Sequence, residues 1–166
     1  MIQHLTQDRL KEVFRYDPIS GIFTRLIATS NNVKVGDVAG TPNELGYLLI
    51  CIDGHRYRAH RLAWLYMTGR WPVDEIDHVE SNPRDNRFAK LREATHAQNM
   101  ANCRKPSTNR SGLKGVSWDA INQRWRASIS VRGKSINLGR FSTKRLAHTA
   151  YLKAAQNAFA EFARAA

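Results

Sequence analysis

Three side chains have types and spacing that could hydrolyse a phosphodiester: Asp77, His78 next to it, and Asn99, 21 residues after the histidine. That chemistry needs an activated water in line with phosphorus and a cation to neutralise charge on the leaving oxygen. Asp77 and Asn99 offer hard oxygen donors of the kind Mg²⁺ or Mn²⁺ takes, with positions left open for water and phosphate. On a strand, His78 points to the side opposite Asp77. Its ordinary pKa of about 6.5 suits a general base near neutrality. Taken singly, each residue has a plainer reading: Asp-His is a common pair, and Asn99 could lie on a helix surface. His55, His60 and His96 are read as structural or DNA-facing.

The elements that must position these residues form a short series. Residues 73–78 read as a strand ending at Ile76-Asp77-His78, followed by the polar loop ESNPRDNR. A second strand is expected over Phe88 to Arg92, and a helix from Thr95, where Thr95 and Gln98 match a capping box. Upstream, residues 6–16 have the apolar rhythm of a short helix stopped by Asp17-Pro18. Asp53-Gly54 lies between YLLICI and HRYRAH, a pair suited to a tight hairpin turn. Residues 61–68 read as a buried helix ending at Gly69.

The segment IDHVESNPRDNRFAKLREATHAQNMAN at 76–102, with the lead-in AHRLAWLYMTGRWP, resembles the HNH, or ββα-metal, endonucleases of phages and introns. The resemblance covers roughly residues 16–103. It implies a catalytic set of Asp77, His78, Lys90 and Asn99, in which Asp77 and Asn99 hold one Mg²⁺ or Mn²⁺ and His78 is the general base. One position departs from the family. Its middle Asn, nine residues before the helix ligand, is Lys90 here. Lysine cannot accept the hydrogen bond that steadies the base-bearing strand, so weakened cleavage is expected, and Lys90→Asn is expected to raise it.

Charge divides the chain. Residues 1–100 carry 13 Lys and Arg against 12 Asp and Glu, whereas residues 101–166 carry 13 against 2. An excess concentrated in the last 66 residues implies a polyanionic partner, because each phosphate neutralised releases condensed counterions. In RWRASISVR, Trp125, Ala127, Ile129 and Val131 alternate with arginines and serines. Such a strand has one face to bury and one to offer. Residues 143–163 place Leu146, Ala147, Ala150, Tyr151, Ala154 and Phe159 at helical spacing, to cover the apolar face.

Residues 111–163 resemble the Apetala2-type DNA-binding domain. The match rests on Gly115-Val116-Ser117-Trp118, Trp125-Arg126-Ala127, Leu138-Gly139-Arg140-Phe141 and Ala147 through Ala155 with Tyr151. It implies a three-stranded sheet in the major groove backed by a helix, with Lys114, Trp118, Arg124, Arg126, Arg132 and Lys134 facing DNA. About six phosphate contacts would give a slope of log K on log[salt] of roughly −5.

The expected class is therefore α+β: a ββα-metal module followed by a three-stranded antiparallel sheet packed on one helix. The expected domains are a nuclease module over 1–103, a linker at 104–112 and a DNA-binding module over 113–166. Only Cys51 and Cys103 are present, against a disulfide framework. With no apolar run of roughly 18 residues and no leader-like N-terminus, a cytoplasmic protein is expected, plausibly phage-encoded, acting as a monomer on double-stranded DNA without membrane or small-molecule cofactor. Three readings stay open: a nicking or homing endonuclease, a DNA-binding regulator with a degenerate, inactive HNH fold, and an RNA-binding protein.

Overall fold

The computed structural model describes residues 5–28, 32–103 and 108–163. The chain separates into two compact units, Met1–Glu93 and Ala94–Ala166. Its described residues form an α+β protein of short antiparallel sheets and four α-helices. Among the described residues no helix is long and apolar enough to cross a membrane.

In the first unit, helix α1 (Gln7–Val13) is capped by the Thr6 side chain, which accepts from Arg9 N. The expected helix over 6–16 ends early because Phe14 turns extended and begins β1 (Phe14–Asp17). β1 pairs with β2 (Ile22–Arg25), and β2 with β3 (Val38–Ala39). A second sheet joins β4 (Thr41–Pro42), β5 (Leu48–Ile52) and β6 (His55–Arg58). Asp53 and Gly54 both have positive φ at the β5–β6 turn, as their residue types allow. Helix α2 (Ala59–Thr68) follows and stops at Gly69, which is left-handed. Phe14, Phe23, Leu10, Ile50, Leu62 and Leu65 form the fully buried centre. Each such side chain contributes about 1.5–3 kcal/mol of hydrophobic stabilisation.

The strand β7 (Glu75–His78) pairs with β8 (Leu91–Ala94). The second strand begins later than its sequence suggests. Phe88–Lys90 form one 3₁₀ turn, and the extended backbone starts at Leu91.

The second unit opens with helix α3 (His96–Asn102), whose start has both hydrogen bonds of the expected Thr95–Gln98 capping box. Strands β9 (Val116–Asp119), β10 (Arg124–Val131) and β11 (Lys134–Phe141) form an antiparallel sheet with β10 in the middle. Helix α4 (Lys144–Phe159), capped by Thr143, covers one face with Ala147, Tyr151 and Ala155. Tyr151 lies over Gly115, where a β-carbon would meet its ring at 2.0 Å. Helix α3 belongs to this unit: Ala101 shares a core with Ile129, Tyr151, Phe159 and Phe162. The compact division thus falls before α3. Of the expected linker, residues 104–107 lie outside the described residues.

Candidate active site around Asp77 and His78

β7 places Asp77 and His78 side by side, 3% and 6% exposed. A buried carboxylate needs a counter-charge. Arg92, on the paired strand, supplies it: Nε donates to Asp77 Oδ2 at 2.9 Å, and Nη2 lies 2.8 Å from the same oxygen.

His78 Nε2 lies 3.4 Å from Oδ1 of Asn86, itself only 2% exposed. The Asn86 amide nitrogen donates to Arg84 O at 3.3 Å, so its oxygen is the end turned to the imidazole. In that arrangement Nε2 is the ring nitrogen turned to an acceptor. Burial pushes the His78 pKa down, and the contacts with Asn86, Asp77 and Asp85 oppose that. His60, from the first turn of α2, stands edge-on to His78 with ring centroids 4.9 Å apart. Its burial, first, and the charges of His78, Arg58 and Arg61 bring its pKa down to about 3, so it is neutral at physiological pH.

The loop bearing Asn86 is held from the N-terminal hairpin. Tyr16 OH donates to Asn86 O at 2.6 Å, and Phe88 N donates to Pro18 O at 3.1 Å. Gly21, with φ of +74°, packs so closely that a β-carbon would come within 2.5 Å of the backbone at Asn86 and Arg87. No side chain larger than glycine fits there.

Lys90 takes a different place from the one its position implies. Its ammonium pairs with Glu80, and its carbonyl accepts from Val79 N at 3.0 Å. The asparagine side chain that meets His78 is instead that of Asn86. Its only sign in the sequence is its place in the polar loop DNR.

In the second unit, Asn99 lies half-buried on α3, its carbonyl accepting from Cys103 N at 3.0 Å. Lys114 Nζ donates to the carbonyls of Met100, Ala101 and Cys103 at 3.3, 2.5 and 2.7 Å. It thereby satisfies the open end of α3, where a cation is favoured. Arg126 pairs laterally with Ser117 and Arg140, so these three share one face of the sheet, as do Arg124 and Asp119. Arg140 Nε donates to Asp119 at 2.7 Å. Trp118 pairs with Trp125, at 5.0 Å between ring centroids, and so belongs to the opposite, helix-covered side while remaining 51% exposed. Arg132 occupies the β10–β11 turn with φ of +51°, and Lys134 begins β11 opposite Val131.

The donor chemistry suits a hard divalent ion. Oδ2 of Asp77 already accommodates a positive group, the guanidinium of Arg92, which stands where a cation's charge would fall. Among the described residues no three His, Cys, Asp or Glu side chains converge.

The chain is similar to known proteins. The profile of a family described as HNH endonuclease matches residues 57–101, a span that includes Asp77, His78, Asn86, Lys90 and Asn99. Protein 3.8 of Escherichia phage T7 is 36% identical over 81 residues, 48% of this chain and 67% of that protein. A solved structure described as "DNA binding and cleavage by the HNH homing endonuclease I-HmuI" is similar over 82% of this chain and 76% of its own. That likeness has 19% identity and a TM-score of 0.43.

Proposed function

The chain belongs to the HNH endonuclease family, and from that premise we propose that it is a metal-dependent endonuclease that hydrolyses phosphodiester bonds of double-stranded DNA. The observation that carries this is the buried Asp77-His78 pair with an acceptor on His78 Nε2, inside the segment that matches the family. His78 takes a proton from the attacking water at Nδ1, and Asn86 fixes the tautomer that leaves the lone pair there. Asp77 and Asn99 would hold one Mg²⁺ or Mn²⁺, which supplies neutralisation of charge on the phosphate when bound. The Lys90 ammonium, paired with Glu80, takes no part in proton transfer.

Substrate is held by the basic face of the C-terminal sheet. Arg124 and Arg126 contact phosphate or guanine edges there, in line with the Apetala2 resemblance. Lys114, Trp118, Arg132 and Lys134 are secondary: Lys114 braces α3, Trp118 lies on the opposite side of the sheet, and Arg132 and Lys134 stand at the β10–β11 turn. The enzyme acts as a monomer, nicking or homing on its target in a phage-infected cell.

Supercoiled plasmid incubated with Mg²⁺ tests the proposal beside a His78→Ala control. Metal-dependent nicking that the control lacks is the expected result. One observation favours a second reading, a DNA-binding regulator: His78 is only 6% exposed, and a base must reach water. Retention of duplex DNA with no nicking in Mg²⁺ or Mn²⁺ would establish the regulator instead.

A further inference from the structure

We propose that Arg92 is the resident counter-ion of Asp77, which a divalent cation must displace in order to bind, so that this arginine sets the metal affinity of the site. The inference rests on the proposal that Asp77 is a metal ligand, and goes beyond it by assigning the competing group.

Two contacts from Arg92 fall on one oxygen. Nε at 2.9 Å and Nη2 at 2.8 Å address Oδ2. This loads Oδ2 with two charged donors, and a cation on the same atom would face the positive guanidinium directly. Arg92 is placed for this by strand pairing, since β8 runs beside β7. Other acids nearby have basic partners of their own. Glu93 is held by Arg70 through both oxygens, Asp85 by Arg87 and Glu80 by Lys90. Each of the four carboxylates is thus matched to its own basic side chain, and Asp77 is the most buried of them.

This pairing also explains how a carboxylate only 3% exposed is tolerated before metal arrives. Without the guanidinium the charge would be uncompensated. A divalent ion takes over the same task with twice the charge, and displacing Arg92 from Oδ2 is the cost that its binding must meet.

The test is Mn²⁺ binding by the full chain, read by electron paramagnetic resonance of free Mn²⁺, which does not depend on cleavage. Arg92→Gln removes the competing charge and should tighten Mn²⁺ binding about tenfold or more. Arg92→Lys keeps the charge and should stay within about threefold of the parent. If Arg92→Gln binds Mn²⁺ no better than the parent while Asp77→Asn loses it, the exchange is wrong and the metal assignment stands. If Asp77→Asn binds Mn²⁺ as well as the parent, both fall together. Should Arg92→Gln fail to fold, the unmodified protein still decides the matter. Its Arg92 Nε–H resonance, assigned with Arg92→Lys, should shift and lose solvent protection as Mg²⁺ is added, and a resonance that does not move overturns the proposal.

Discussion

The hydroxyl of Tyr16, on the first strand, donates at 2.6 Å to the backbone carbonyl of Asn86, 70 positions later. The side chain of that same asparagine meets His78 Nε2. The N-terminal hairpin is thus a brace for the candidate base, linked to it through one residue. Burial, first, and nearby Asp17 and Asp85 raise the Tyr16 pKa well above its ordinary value, so the phenol stays protonated as the donor.

Tyr16→Phe should therefore act on both stability and chemistry. Leaving a buried carbonyl without its donor costs about 1–3 kcal/mol. Urea denaturation should show that loss. Plasmid nicking, measured where the variant is still fully folded, should slow by several-fold because Asn86 is no longer held. Full activity in a folded Tyr16→Phe protein would mean that the loop does not depend on the brace.

Lys90→Asn should change little, against the expectation from sequence. The Lys90 ammonium is occupied by Glu80, and Asn86 already meets His78. Nicking rates within about twofold of the parent are expected, whereas Asn86→Ala should lower them by about tenfold or more. A large gain in Lys90→Asn would restore the view that lysine disables the site.

Stability should fall on acidification through a defined window. His60 has a pKa of about 3 in the folded chain against 6.5 for the ordinary side chain. The unfolded chain therefore takes up the proton first, and folding loses ground as pH drops from about 6.5 toward about 3. The His78 shift has the same sign. Denaturation midpoints compared at pH 7.5 and pH 5 should show the decline, and His60→Phe should flatten it. Equal slopes in parent and variant would place the acid sensitivity elsewhere.

Salt dependence of DNA binding should separate the basic residues by location. Arg126 lies on the open face of the sheet, whereas Lys114 is committed to three carbonyls at the end of α3. Arg126→Ala should reduce the slope of log K on log[salt] by about one unit. Lys114→Ala should leave the slope unchanged and lower the melting temperature. The opposite assignment of effects would put Lys114, not Arg126, on the phosphates.

Local chemistry made much of the molecule legible in sequence. Asp53-Gly54 has the backbone its turn demands, Thr95 and Gln98 form their box, and the alternation in β10 separates arginines from core as its spacing implies. What the sequence hid depends on register between distant segments. The pairing of Arg92 with Asp77 spans 15 residues across two strands, and that of Tyr16 with Asn86 spans 70. Trp118 illustrates the same limit. Its residue type suits either face, and only its place opposite Trp125 decides which side it takes. Asn82, Asp85 and Asn86 crowd one loop, and composition does not say which of them turns inward.

Helix α3 keeps company with the C-terminal sheet through Ala101 and the Lys114 clasp. A graft that exchanges recognition modules at Cys103 would cut this helix from the residues that shelter it, and orphan Asn99 along with it. A seam at Glu93 would instead transplant the helix with its own foundation, making that position the natural joint for building chimaeras from this chain.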